Sequence, residues 1–376
     1  MSHTFPQATP PVHDVLALER RYPALHGRLP RVQLTTLPTR VHRLARLGEE
    51  LGVEELWVKR DDESGALYGG NKPRKLEFLL GAALQHGRRT VMTFGGIGTN
   101  HGLATALCAR ALGLRTILVL LRQPVTAHVR HCLLLDAAAG AELHYAPTVA
   151  GVAVRALCAG GRELLRGNRP DIIPTGGTSP LGTLGYVNAA FELQEQITAG
   201  ELPEPAWIFV PLGSGGTVAG LVLGAKLAGL RARVAAVLVT DILPPSARGL
   251  ARLARRTLGV LRHAASEVSR VQVTTSDFHI IRAYVGAAYG APTEAGRRAR
   301  DLVARCEGIT LETTYTAKCL AALMDSVRTG PYRTGPVLFW NTFNGVDVAV
   351  QLGPLPDYRQ LPRAFHQFFT GPVVPA

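Results

Sequence analysis

Short β-rich apolar runs alternate with segments of helical apolar spacing from about residue 75 onward, and no other feature narrows the possible folds as much. Lys75–His86 has helical spacing, and Arg89–Phe94 is a β-rich run that ends in glycines. His101–Leu112 is helical again, Arg115–Leu121 is strand-like, and the alternation continues to Asp171–Pro174. A second series runs through Gly182–Thr198 (helix), Trp207–Leu212 (strand), Gly216–Leu230 (helix) and Ala232–Thr240 (strand). Strands that alternate with helices predict parallel sheets buried under helices, here as two α/β units. The first thirty or so residues, through Pro30, lack periodicity and are expected to wrap the surface.

Composition fits a folded chain: of 376 residues, 47% are hydrophobic and 18% charged, which excludes a disordered or fibrous class. The longest apolar runs, such as Thr116–Leu121, fall far short of the ~20 residues of a membrane helix, so no membrane association is expected. Residues 1–13 are polar and proline-rich without the basic-then-apolar order of an export signal, which gives a cytoplasmic expectation. The net charge of +13 comes from 41 basic residues, of which five are lysine (Lys59, Lys72, Lys75, Lys226 and Lys318). The arginines are scattered, the densest group being Arg248, Arg252, Arg255, Arg256 and Arg262, and no nucleic-acid-binding motif accompanies them. A solvated basic face is expected, with no nucleic-acid partner. The five cysteines form no CxxC and are expected to be buried, reduced thiols, and the twelve histidines show no metal-ligand pattern.

Three of the five lysines fall in Val58–Glu77, VKRDDESGALYGGNKPRKLE. Gly69, Gly70 and Asn71 make a turn just before Lys72, and Pro73, Arg74 and Lys75 open a helix. In a chain that otherwise prefers arginine, a retained lysine points to work that needs an amine able to lose its proton, such as Schiff-base formation. A basic helix start with solvated lysines explains this segment equally well. Two glycine-rich turns shift the balance: Phe94–Gly102 (FGGIGTNHG) and Pro211–Gly220 (PLGSGGTVAG), each between a strand and a helix. Such turns present backbone N–H groups and a positive dipole end to a phosphate. Neither reads GxGxxG or GxxxxGK[ST], so dinucleotide and NTPase loops are not indicated. With the Lys72 turn they suit a small phosphorylated cofactor held through an aldehyde.

The full motif set resembles the fold-type II pyridoxal-phosphate enzymes of the D-cysteine desulfhydrase / 1-aminocyclopropane-1-carboxylate (ACC) deaminase family. Its landmarks, from about Leu29 to Gly345, are KRDD (59–62), GGNKxRKLE (69–77), GGIxxNH (95–101), PTGGTSPLGTLGY (174–186), GSGGT (213–217), YGxPTEAG (289–296) and TY (314–315). The resemblance implies a two-domain, tryptophan synthase β-like α/β fold with parallel sheets flanked by helices. It puts residues 1–74 and 186–376 in a large cofactor-binding domain and residues 75–185 in a small one. It also implies pyridoxal 5'-phosphate as cofactor, a small amino-acid substrate and a homodimer.

By the same resemblance Lys72 holds the cofactor as a Schiff base and moves the Cα proton. Asn100 contacts the ring hydroxyl, Asn71 lies beside the Schiff base, and Lys75 lies near the phosphate. Gly213, Ser214, Gly215, Gly216 and Thr217 cradle that phosphate. Thr99 lies near the substrate carboxylate and Cα, with His101, Tyr289, Tyr315 and Thr342 also on the substrate side. Thr316 occupies the position facing the pyridine nitrogen, where ACC deaminases carry glutamate. A hydroxyl there makes the ring a weaker electron sink, which suits α,β-elimination, and Thr342 matches the desulfhydrases. D-cysteine breakdown to pyruvate, sulfide and ammonia is therefore the expected reaction. ACC deaminase, L-cysteate sulfo-lyase, a β-replacement enzyme and an inactive cofactor-binding scaffold are the alternatives. Gly98 and Thr99 replace the Gln and Ser of the family's GGIQSNH, and Asn341–Gly345 replaces its HTGG, so the pocket wall is altered.

Overall fold

The computed structural model describes residues 14–329, 332 and 334–374. The strands are β1 (Val41–Arg43), β2 (Leu56–Lys59), β3 (Thr90–Gly96), β4 (Arg115–Leu121), β5 (Glu142–Ala146), β6 (Asp171–Ile173), β7 (Trp207–Leu212), β8 (Arg233–Leu238), β9 (His279–Ile281) and β10 (Val337–Trp340). The principal helices are α1 (Ala17–Arg21), α2 (Ala45–Leu51), α3 (Asn71–Gln85), α4 (Asn100–Ala111), α5 (Ala127–Ala138), α6 (Val149–Leu165), α7 (Pro180–Thr198), α8 (Gly216–Ala228), α9 (Ala247–Ala264), α10 (Glu294–Glu307) and α11 (Thr316–Thr329).

Two sheets organise the chain. One has six strands in the order β1-β2-β10-β7-β8-β9, and the other has four in the order β5-β4-β3-β6. All pairs are parallel except β1 with β2, as expected of strands covered by helices on both faces. In the larger sheet, side-chain parity sorts the core. Ile208, Val210, Leu212, Val234, Ala236 and Leu338 pack with α7, α8 and α9, while Trp207, Phe209, Ala235, Val237, Val337 and Phe339 pack with α2, α10 and α11. That split is the two-residue period of a strand read on both faces. Helix starts are set locally: Thr99, Thr126, Thr148, Ser179, Ser246 and Thr293 each accept a backbone N–H three residues on, satisfying donors that the first turn leaves unpaired.

Two sequence expectations need correcting. Residues 1–13 lie outside the described residues, but the rest of the opening segment is not a surface wrap. Leu16, Leu18, Tyr22 and Leu25 are buried in the core beside α7, and the Leu18 N–H donates to Asn188 Oδ1 at 3.0 Å. The cysteines are free, but Cys158 is exposed and Cys306 half-buried. Strands β2 and β10, adjacent in the larger sheet, are too short for periodicity to reveal. Both boundaries of the expected small domain, near 75 and 185, fall inside continuous helices, α3 and α7. The arginines of α9 occupy its solvent side, with Arg248, Arg252, Arg255 and Arg256 exposed and Leu250, Ala254 and Leu258 buried. Among the described residues, no helix is long and apolar enough to cross a membrane, and no cluster of His, Cys, Asp or Glu is arranged to hold a metal.

Candidate active site

A cavity of about 510 Å³ opens where the carboxyl ends of strands from both sheets come together, the place where open α/β sheets collect ligands. Its wall includes Asn71, Lys72, Lys75, Thr99, Asn100, His101, Gly213, Ser214, Gly215, Thr217, Tyr289, Tyr315 and Thr342. Two residues singled out from sequence are absent from that wall. Gly216 is buried at the start of α8, and Thr316 is fully buried.

Lys72 reaches the cavity because of how α3 begins. Gly70, at φ +81°, makes the turn; a Cβ there would stand 2.6 Å from the Phe343 and Thr342 carbonyl oxygens. The Asn71 N–H donates to Thr342 O at 3.3 Å, and the Gly69 N–H donates to Asn344 Oδ1 at 2.6 Å. The segment after β10, noted from sequence as a departure, thus forms the seat of the lysine turn. Behind the turn, the charged residues of the two lysine motifs are structural. Arg74 donates to Asp61 Oδ1 at 2.7 Å and to Glu192 Oε2 at 2.9 Å. Lys59 pairs with Glu192 Oε1 at 2.6 Å, and Asp61 Oδ2 accepts from Tyr186 and Trp340 at 2.6 and 2.7 Å. Glu77 holds the segment at 31–35, accepting from Arg31 Nε at 3.0 Å and from the Leu34 and Thr35 N–H groups at 2.9 Å each. Three carboxylates (Asp61, Glu77 and Glu192) thus balance three cations (Arg31, Lys59 and Arg74), and all six are hydrogen-bonded.

Burial lowers the Lys72 amine from 10.5 to about 8, opposed by the negative charge of Glu312, so a sizeable neutral fraction exists near neutral pH. Lys75 is pushed well down by burial and by the neighbouring Lys72. His101 is also pushed well down, by burial and then by the two lysines; it stays neutral, with Nε2 3.0 Å from Thr93 Oγ1. Tyr289 and Tyr315 share a short hydroxyl–hydroxyl hydrogen bond. Burial raises both phenols, which keeps them protonated and able to donate. Once cofactor is removed, trinitrobenzenesulfonate labelling of Lys72 is expected to accelerate with a midpoint near pH 8, because only the neutral amine reacts. A midpoint near that of a solvated lysine would contradict the burial argument.

The loop after β7 has the form of an anion cradle. Gly215 sits at φ +98°, where a Cβ would come 2.6 Å from Leu250 Cδ2, and the first N–H groups of the 13-residue α8 follow it. Ser214 Oγ lies 2.6 Å from Thr178 Oγ1, Asn71 Nδ2 donates to Thr217 Oγ1 at 3.1 Å, and Lys75 Nζ lies 3.1 Å from where a Gly216 Cβ would stand. Unpaired helix N–H groups, three hydroxyls and an amine suit a phosphate, and the Lys72 amine suits an aldehyde. The residues present fit a phosphorylated aldehyde cofactor. Gly215→Ala is expected to weaken retention of such a cofactor by about tenfold or more, since left-handed backbone costs ~1–3 kcal/mol in a residue with a Cβ. Equilibrium dialysis with absorbance checks this.

The family described as "Pyridoxal-phosphate dependent enzyme" matches residues 32–342. The chain belongs to this family. It is 37% identical over 337 residues, 88% of this chain and 97% of the relative, to Nocardicin C-9' epimerase of Nocardia uniformis subsp. tsuyamanensis. It is 34% identical over 322 residues, 84% of this chain and 94% of the relative, to D-cysteine desulfhydrase of Salmonella choleraesuis (strain SC-B67). A crystal structure of an ACC deaminase homologue superposes with a TM-score of 0.73 at 31% identity, covering 87% of this chain and 95% of that one. The enzyme is thus a member of the D-cysteine desulfhydrase / ACC deaminase family with the fold-type II architecture, and its cofactor is pyridoxal phosphate.

One expected contact is revised by the structure. Thr316 does not face the cavity; its hydroxyl donates to Glu312 Oε1 at 3.1 Å. Glu312 itself lines the cavity and accepts the N–H groups of Thr314, Tyr315 and Thr316 at 2.7, 2.9 and 2.7 Å. A carboxylate thus caps the start of α11 and orients Tyr315, so a lone hydroxyl is the wrong basis for inferring the ring's electronics. Sequence reading missed Glu312 because the nearest motif begins two residues later, at Thr314 and Tyr315. It also missed Gln123, which lies in no motif, and Thr178, which lies in the 174–186 motif without an assigned role.

Proposed function

We propose that the enzyme catalyses α,β-elimination on a small amino acid, with D-cysteine as the leading substrate and pyruvate, sulfide and ammonia as products. The observation that carries this reading is Lys72, an amine near pKa 8 in a cavity that also holds two protonated phenols. Bound pyridoxal phosphate supplies an aldehyde that captures the substrate amine and a ring that takes up electrons from Cα. Lys72, neutral at its amine, removes the Cα proton. Thr99 and Asn100, at the start of α4, lie where N–H groups and a dipole favour a carboxylate. The Tyr289–Tyr315 pair gives a proton to the departing sulfur. We further propose a homodimer, a cytoplasmic setting, and a division into a large domain of residues 1–74 with 186–376 and a small one of residues 75–185.

A second reading is inversion at Cα, favoured by the 37% identity to an epimerase; the same tyrosines would return a proton to carbon. A panel of D-cysteine, L-cysteine, L-cysteate, D-serine and ACC separates the two. Keto acid from D-cysteine supports elimination. Inverted substrate with solvent deuterium at Cα and no keto acid supports inversion and overturns elimination. Tyr315→Phe is expected to reduce turnover by about 10²-fold, the lower range for losing a positioned proton donor. Steady-state kinetics checks this.

A further inference from the structure

The two phenols paired in the cavity are held in unequal ways. Tyr315 directly precedes α11, and its N–H is fixed by the Glu312 carboxylate. Tyr289 comes instead from residues 282–293, which join β9 to α10 as turns and irregular backbone. A side chain carried on such backbone stands where its tethers put it. One tether is Lys318, buried on α11, whose Nζ donates to Val285 O at 2.6 Å. Another acts on the tyrosine itself: the Tyr289 N–H donates to Asp241 Oδ1 at 2.8 Å.

Asp241 meets that N–H because of strand register. β8 and β9 are parallel neighbours, with Ala235 opposite His279 and Val237 opposite Ile281, so the segments after both strands leave at the same end of the sheet. Asp241 follows β8 in a turn where the Ile242 N–H donates to Thr240 Oγ1 at 3.1 Å. Thr240 and Ile242 line the cavity, and Asp241 does not. Its carboxylate is turned to the Tyr289 backbone, where a charged acceptor bonds more strongly than a neutral one. We propose that Asp241 is a positioning residue, whose bond to the Tyr289 N–H sets where the Tyr289 hydroxyl stands relative to Tyr315 and the substrate. The Tyr289 hydroxyl shares its hydrogen bond with Tyr315, and a shift of about 1 Å in such a group is enough to slow a reaction. This assignment rests on the proton-donor role proposed above for the tyrosine pair.

The test is a double-mutant cycle on the cofactor-loaded enzyme, with amide hydrogen exchange measured at Tyr289. Asp241→Ala, Asp241→Asn and Tyr289→Phe are assayed with D-cysteine, singly and combined. Asp241→Ala is expected to lower kcat about tenfold with KM within about twofold, the pattern of a contact used in the transition state. Asp241→Asn keeps an acceptor oxygen and should recover most of that loss. In the Tyr289→Phe background Asp241→Ala should cost less than about twofold, because the hydroxyl it places is already gone. The Tyr289 amide should exchange about tenfold faster in Asp241→Ala, as expected for losing one hydrogen bond to a charged group. Wild-type kcat in Asp241→Ala, a tenfold loss that persists beside Tyr289→Phe, or an unchanged Tyr289 amide overturns the inference. A Tyr289→Phe enzyme with full turnover overturns the donor role and the positioning with it. If the wild type inverts D-cysteine and forms no keto acid, elimination alone fails, and the same cycle read on inversion decides the positioning.

Discussion

Lys72→Ala is expected to lower turnover by at least about 10³-fold, because it removes both the cofactor's attachment point and the base at Cα, and a positioned base alone contributes about 10²–10⁴. Lys72→Arg should fare no better, since a guanidinium neither loses its proton near neutral pH nor attaches to an aldehyde. The fold should survive either change. The Lys72 side chain reaches the cavity, while α3 is anchored by its neighbours Arg74 and Glu77. Steady-state rates and far-ultraviolet circular dichroism on the same samples check both halves. A variant retaining more than a tenth of wild-type turnover would remove Lys72 from its assigned role.

Arg74→Leu is expected to destabilise the enzyme by about 3–5 kcal/mol, the usual loss when one member of a buried ionic group is removed. Arg74 is 1% exposed and contacts two carboxylates, Asp61 and Glu192, that are 0% and 3% exposed. Without the guanidinium, Lys59 still pairs with Glu192, and Asp61 loses its ion-pair partner. The same cluster gives the enzyme an acid limit. Arg74 and Lys59 overcome the effect of burial and hold Glu192 well below its ordinary 4.5. The stability it contributes is therefore fully present above about pH 4.5 and is lost as pH falls toward the depressed value. Urea midpoints across pH 3–7 measure both effects. A wild-type midpoint indifferent to acid, or an Arg74→Leu variant as stable as wild type, would contradict the arrangement.

The alternating apolar pattern is legible because parallel strands buried on both faces read as continuous apolar runs. Arg115–Leu121 and Trp207–Leu212 coincide with β4 and β7. The four-residue β2 and β10 carry too few side chains to show a period, and it is their pairing with each other and with β7 that makes them strands. Lysine scarcity proved an imperfect guide to chemistry. It drew attention to Lys72, but Lys59 is an interior countercharge and Lys318 donates to the Val285 carbonyl at 2.6 Å. Glu312 and Gln123 escaped notice for a different reason. Their positions in the cavity depend on the turn of α11 and on the β3–β4 register, neither of which local spacing encodes.

Borohydride treatment of the cofactor-loaded enzyme, followed by peptide mass spectrometry, tests the central claim most directly. The phosphopyridoxyl group is expected on the peptide containing Lys72 and on no other. Its appearance on Lys75 or Lys318 instead, or the absence of any labelled peptide from a coloured enzyme, would contradict the account.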